Sequence, residues 1–390
     1  MKILVSTHSY NSVNPCGILS IGILGELANL NHEIKVICSS NSTYSGDAHG
    51  PETYACSEIS WLSSRSVVFI SGLVNRDCLH ILWERRAKVI GSELCRSWKP
   101  DVIYSRSNPI ASGMVGAYLS DKFHIPHSAY FSDPIPAPFY MEPDNPMRRA
   151  RLCQSRKILQ NARQCSFGTQ QMLDFQSAGC ELPELGAKSF VQPNFIPEFR
   201  ELGDNANSFP VFCYAGSFYG ARKADSLILG FERLLNDFPK AELHLLGCRA
   251  QGVIELLTSE TLRRQIKLLP RVNNVYDAFA KATALIDVDP DAPDNVFSST
   301  KIYEYLGVDR PIIAITTPKS PSAALLGRSP DTIFTTFHGD YEGVYQALKR
   351  AWLLKYDHSR FERRNSVFKG YLLDSQALML SEKLEHLAAK

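Results

Sequence analysis

No run in this sequence approaches the roughly 20 consecutive apolar residues that carry a helix across a bilayer, so membrane-spanning helices play no part in its organisation. Paired cysteines are missing too. No two of the ten (Cys16, Cys38, Cys56, Cys78, Cys95, Cys153, Cys165, Cys180, Cys213, Cys248) form a C-x-x-C, which excludes the common zinc and dithiol motifs. Several lie in apolar runs such as Val211-Phe212-Cys213-Tyr214 and read as buried reduced thiols. The ten histidines supply no H-x-x-x-H or H-E-x-x-H ligand set; His8 follows the first strand and His127 lies inside one. Charge of one sign is not in excess. With 42 Lys and Arg against 40 Asp and Glu the net charge is +2, and whole-chain electrostatics favour neither nucleic acid nor a strongly acidic partner. The opening Met1-Lys2-Ile3-Leu4-Val5-Ser6 enters a strand directly and turns polar too soon for a secretory leader, so the expected location is the cytoplasm.

What is present is an alternation of strands and helices. The 390 residues exceed what one core usually organises, which points to two domains. A strand at Lys2–Ser6, a turn-rich stretch with Pro15 and Gly17, helical spacing over Ile18–Leu30 and a strand at Glu33–Cys38 make a β-loop-α-β opening. Residues 41–60 are rich in Ser, Asn and Gly and read as a long loop. Strands follow at Asp101–Ser105, Pro126–Phe131, Gln164–Gly168 and Ser189–Gln192. The polar, aperiodic stretch Glu198–Ser208 reads as a linker. A second series then runs Pro210–Ala215, a helix over Lys223–Asp237, Glu242–Leu246, Gln265–Leu269, Thr283–Asp287, Pro311–Ile315, Thr332–Phe334 and a helix over Tyr341–Trp352. Phe368–Leu387 has helical spacing. Two parallel sheets of this kind, set face to face, would form one deep cleft at their strands' carboxyl ends.

The sharpest patterns lie in the second series. Gly216-Ser217-Phe218-Tyr219-Gly220-Ala221-Arg222-Lys223 joins a strand to a helix. Glycines allow a tight turn and close approach of the backbone, and two cations at a helix start suit a diphosphate. The alternative is an ordinary turn with solvated basic residues. Further on, Ser298-Ser299-Thr300-Lys301-Ile302-Tyr303-Glu304-Tyr305 opens a helix with small hydroxyl residues. Lys301 and Glu304 share a face of its first turn, either as a surface ion pair or with Glu304 free to accept from a ribose diol.

Together these segments resemble the family 4 (group 1) glycosyltransferases of the GT-B fold, of the kind that make bacterial surface polysaccharides. The resemblance extends to Pro193-Asn194 and Asp101-Val102-Ile103. It implies an α/β fold of two facing Rossmann-like domains. Residues 1–197 would bind the acceptor, residues 209–369 would bind the donor, and a C-terminal helix over about 370–390 would return to the first domain. It implies a sugar transferred from a nucleotide diphosphate (UDP or GDP type, no other cofactor) to a saccharide or lipid-linked acceptor, with retention of configuration. Arg222 and Lys223 would hold the diphosphate, with Gly216 in the turn. Ser299, Thr300 and Lys301 would lie at the phosphates, Glu304 at the ribose and Arg271-Val272 at the base. Gly17 would let a first-domain loop approach the sugar, and Asp133 would contact sugar or acceptor.

Two departures from the family pattern stand out. Val296 occupies a position that is often a glutamate contacting the donor sugar, and Ser132 replaces the histidine of a His-Asp pair that ends at Asp133. Asp287-Val288-Asp289 is a D-x-D, a divalent-metal motif in the other major glycosyltransferase fold. Basic groups already neutralise the diphosphate here, so the reading expects no metal and an acidic loop lining the cleft. Basic residues over Met147–Arg163, and over Ser71–Lys99 among Leu73, Val74, Leu79, Ile81, Leu82 and Trp83, suit either a solvated face or peripheral contact with anionic lipid. A non-hydrolysing nucleotide-sugar epimerase and a non-catalytic nucleotide-sugar binder are the rival readings.

Overall fold

The computed structural model describes residues 1–40, 50–57, 64–142, 144–205, 207–249, 252–272, 274–354 and 356–389. Most of the loop expected over 41–60 therefore lies outside the described residues. The chain forms two compact units, one of Met1–Phe195 with Leu373–Lys390 and one of Ile196–Leu372.

The first unit is a seven-stranded parallel sheet. Its strands are β1 (Lys2–Thr7), β2 (Glu33–Ser39), β3 (Glu52–Cys56), β4 (Val102–Ser107), β5 (His127–Phe131), β6 (Gln164–Phe167) and β7 (Ser189–Val191), in the order β3-β2-β1-β4-β5-β6-β7. β1, β4 and β5 are buried almost throughout, as strands covered on both faces must be. β3 falls inside the stretch expected to be loop. ETYAC has one fully buried residue and pairs only with β2, an edge strand whose short polar sequence carries little apolar signal. Helices α1 (Pro15–Asn29), α2 (Ser64–Val74), α3 (Ile81–Ser97), α4 (Ile110–Phe123), α5 (Pro146–Asn161) and α6 (Gln170–Cys180) connect the strands. α1 begins because the Asn14 side chain accepts from Gly17 N and Pro15 takes the first turn. It packs Leu19, Ile23 and Leu27 in one core with β1 and with Ala377, Leu380 and Leu384 of the chain's last helix, Leu373–Ala388. The opposite face holds Trp83, Leu94, Val115 and Leu119 of α3 and α4. That tail helix is separated from the preceding helix by a short 3-10 turn at Lys369–Tyr371, so the single helical run expected from Phe368 onward is divided in two.

The second unit is a six-stranded parallel sheet of β8 (Val211–Ala215), β9 (Glu242–Leu246), β10 (Ile266–Leu269), β11 (Ala284–Val288), β12 (Ile312–Thr316) and β13 (Ile333–Phe337), in the order β10-β9-β8-β11-β12-β13. Helices α7 (Asp225–Leu235), α8 (Glu260–Gln265), α9 (Tyr276–Lys281), α10 (Thr300–Leu306), α11 (Pro321–Leu326), α12 (Tyr341–Leu353) and α13 (His358–Phe368) complete it. The polar stretch Glu198–Ser208 is not a loose linker. Leu202 N and Gly203 N donate to Asp309 at 2.8 and 3.0 Å, and Arg200 N donates to Gly307 O at 2.7 Å, which ties it to the second unit.

All ten cysteines are free, and seven are buried. Desolvation pushes the thiols of Cys38, Cys95, Cys165 and Cys213 up to about 12. No described helix is long and apolar enough to cross a membrane.

Candidate functional site

In each sheet the strand order reverses once, between β1 and β4 and between β8 and β11. At such a reversal the two flanking loops leave in opposite directions, and a crevice opens beyond the carboxyl ends of the strands.

At the reversal of the second sheet, Gly216 follows β8 with φ +147, a conformation that L side chains rarely adopt. Its N–H donates to Leu246 O at 2.9 Å, and an added methyl would lie 3.1 Å from Lys301 Nζ. The bareness of this turn therefore admits a lysine arriving from α10. Lys301 sits 3.4 Å from Asp287 Oδ1 on β11 and 4.1 Å from the centre of the Tyr214 ring. Burial lowers its pKa to about 8 despite the attraction of Asp287. Tyr214 is itself fixed by stacking on Phe218, centroids 4.5 Å apart, and by donating to Ser217 O at 3.1 Å.

Gly220, at φ +56, makes the second bend and leaves Arg222 N donating to Tyr219 O at 3.0 Å. This turn delays α7, which starts at Asp225 and not at Lys223. Arg222 Nη1 donates to the Tyr219 hydroxyl at 3.3 Å, while its buried Nε has no hydrogen-bond partner. Burial opposes its charge, but Asp287 and, more weakly, Asp289 outweigh that and raise its pKa. Lys301 thus meets the Asp287 carboxylate and Arg222 feels its field, and both cations have donor capacity left over. Lys223, the chain neighbour of Arg222, is exposed and among the described residues ion-pairs with Asp291 alone, at 3.9 Å.

The D-x-D does not form an acidic lining. Asp287 and Asp289 are each 1% exposed. Asp289 accepts from Thr316 Oγ1 at 2.7 Å and Ser322 Oγ at 3.2 Å, and burial together with neighbouring Asp287 raises its pKa to about 7. The pair belongs to the floor beneath the cations because both carboxylates already have partners inside the unit. No cluster of three or more His, Cys, Asp or Glu able to hold a metal occurs among the described residues.

α10 carries Thr300 at its start, Ser299 as its cap and Glu304 one turn on. Lys301 pairs with Asp287 and not with Glu304, and no described residue hydrogen-bonds or ion-pairs the half-buried Glu304 carboxylate, whose pKa burial raises. Arg271 and Val272 follow β10; an added methyl on Gly247 (φ +69) would lie 3.6 Å from Arg271 Cβ. Val296 is buried, in a loop where Asn295 Oδ1 accepts from Phe297 N at 3.1 Å.

In the first unit the space above Gly17 is filled by the backbone of Asn11, so the missing side chain serves the loop's own packing. Asp133 follows β5 and accepts from Asn108 Nδ2 at 2.7 Å and Ser132 Oγ at 3.1 Å. Burial raises its pKa. Two features beside it carried no weight in the sequence reading. Asn108 directly follows β4. Arg106, near the end of β4, is buried, donating to Ser20 Oγ at 2.9 Å and Tyr104 Oη at 3.0 Å and stacking over Tyr130 at 4.4 Å. An arginine closing a strand that opens Val-Ile-Tyr was the available signal.

No family model matches the chain, and no curated protein matches its sequence. Solved structures do match its fold over almost their whole length. A glycosyltransferase from Rickettsia africae has TM-score 0.69 at 12% identity, covering 99% of this chain and 98% of its own. Anabaena HepE in complex with UDP has TM-score 0.69 at 14% identity, with 99% and 100% covered. A UDP-N-acetylglucosamine 2-epimerase has TM-score 0.57 at 13% identity, with 100% and 97% covered. The fold is therefore the two-domain, Rossmann-like α/β fold of the GT-B glycosyltransferases.

Proposed function

We propose that this protein is a nucleotide-sugar-dependent glycosyltransferase. Its second unit takes a UDP- or GDP-sugar, and its first unit takes a saccharide or lipid-linked acceptor in polysaccharide or glycoconjugate synthesis. The observation that carries the proposal is that Lys301 lies against the bare Gly216 turn at the strand reversal while Arg222, six residues on in the same turn, keeps its buried Nε unpartnered. Buried cations with unused donors suit a ligand bearing several negative charges.

The chemistry follows from charge. Cleaving the anomeric bond builds positive charge on the sugar and negative charge on the departing phosphate. Fixed cations aimed at that phosphate lower the barrier because they need no reorganisation as the charge grows. In this reading Arg222 and Lys301 stabilise the leaving group, with Lys223 adding charge from outside. Ser299 and Thr300 give hydroxyl and backbone contacts, Glu304 accepts from the ribose, and Arg271 and Val272 border the base. Asp133 contacts the acceptor. The product keeps its anomeric configuration, and no metal or further cofactor takes part.

The test is Arg222→Ala. kcat is expected to fall roughly 10²–10³-fold, and Arg222→Lys to recover only part of it, because lysine keeps the charge but not the planar two-pronged fork. Near wild-type kcat in a folded Arg222→Ala protein would remove the reading's main support. The epimerase likeness gives a second reading, separated by incubation with nucleotide sugar alone: isomerisation without acceptor favours the epimerase.

A further inference from the structure

The first unit carries a helix whose outward face is as apolar as the face it buries, where Val67 and Ser71 lie. In α2, Val68, Phe69, Leu73 and Val74 are 36, 68, 70 and 56% exposed, whereas Ser71 points inward and is fully buried. No charged residue occurs from 66 to 75. A helix that is apolar all round needs cover on every side. α2 packs against the first turn of α5, where an added methyl on Gly72 would lie 2.7 Å from Pro146 Cβ. A groove of about 690 Å³ runs there, lined by Val68, Phe69, Leu73, Asn75, Pro146 and Arg149. Phe139 and Met141 are exposed near by, with Arg148 of α5 stacked 3.9 Å over the Phe139 ring.

Charge identifies what covers this face. α2 and α5 together carry six Arg or Lys and no Asp or Glu. Arg151 is engaged by Asp77 and Glu142, and Arg156 by Glu181. Arg149, at the edge of the groove, is 69% exposed and among the described residues ion-pairs with Asp144 alone, at 3.9 Å. An apolar ridge with an exposed arginine at its edge, beside helices that carry no carboxylate, fits a surface that is negative outside and apolar just beneath. A second copy of the same face fits poorly, since a two-fold contact would set like charges against each other.

We propose that this face of the first unit rests on an anionic lipid bilayer, with Phe69 and Leu73 entering the headgroup–acyl boundary and Arg149 pairing with lipid phosphate. Of the apolar residues that the sequence offers for such contact, Leu73 and Val74 are exposed on α2, where Phe69 joins them. Trp83 is buried in the core, and the apolar contribution comes from α2.

The experiment is co-sedimentation of the full chain, without nucleotide, with vesicles of phosphatidylcholine alone or mixed with phosphatidylglycerol. Wild type is expected to pellet with the mixed vesicles and to release as salt is raised. Phe69→Gln/Leu73→Gln is expected to lower the bound fraction at least about tenfold. Arg149→Glu is expected to weaken binding to mixed vesicles only. If the double variant melts at a lower temperature than wild type, Phe69→Trp replaces it, and its emission should shift to the blue on adding mixed vesicles. Wild type remaining in the supernatant, undiminished binding by the double variant, or a wild-type dimer that this variant splits into monomers would each overturn the proposal.

Discussion

Lys301 reaches Asp287 from a different helix and a distant part of the chain, Nζ to Oδ1 3.4 Å, and lies against the turn at Gly216 that precedes Arg222 by six residues. The lysine that shares a carboxylate with Arg222 is thus not the one beside it in sequence.

Affinity should follow space. Lys301→Met is expected to weaken UDP or GDP binding at least about tenfold, equivalent to roughly 1.4 kcal/mol. Lys223→Met should change it much less, because Lys223 is 59% exposed and solvent screens it. Isothermal titration calorimetry below the melting transition of each variant gives both constants. Equal losses would return Lys223 to the site.

Gly216→Ala should cost twice. The backbone at φ +147 strains any L side chain, typically by about 1–3 kcal/mol. The new methyl also presses on Lys301 Nζ at 3.1 Å. Calorimetry should show a melting temperature several degrees lower, and titration should show weaker nucleotide binding. Unchanged values for both would mean that the turn relaxes freely.

Asp289 makes stability pH-dependent with a definite sign. Its folded pKa is raised from 3.8 to about 7, so between those values the folded state keeps a proton that the unfolded state has lost. Stability then falls as pH rises through that window and levels off above it. Asp289→Asn cannot titrate. Denaturant unfolding from about pH 4 to about pH 8 should show wild type losing stability relative to the variant as pH rises. The opposite slope would show Asp289 to be ionised throughout.

Chelation should leave activity standing. Asp289 is held by two hydroxyls and Asp287 is buried facing Lys301, so Mg²⁺ or Mn²⁺ at this pair would have to displace the lysine. Turnover in excess EDTA is expected to match that in buffer; loss restored by Mn²⁺ would make the D-x-D a metal site.

Strand and helix alternation was legible because parallel strands buried on both faces read as dense apolar runs, as Val211–Ala215 and Ile312–Thr316 do. β3 was not, since an edge strand with one buried residue gives no such run. Among the candidate residues, Gly216 and Arg222 follow from the turn they make. The weight placed on Lys223 came from chain adjacency, whereas side-chain direction depends on where α7 starts, and Gly220 moves that start to Asp225. Gly17 was read as room for a ligand; only the path of residues 8–14 reveals that Asn11 fills it. The D-x-D read as an acidic loop lining the cleft because spacing alone cannot report burial.

The distribution of thiols turns the protein into its own reporter. Cys153 is the exposed one, on α5, and a thiol-directed dye should attach there first. The buried thiols, Cys38 and Cys165 in one unit and Cys213 in the other, are protected by desolvation and sterics, and react only when the strand that holds them opens. Their slow modification, followed site by site by mass spectrometry, would time the opening of each sheet separately without any engineered label.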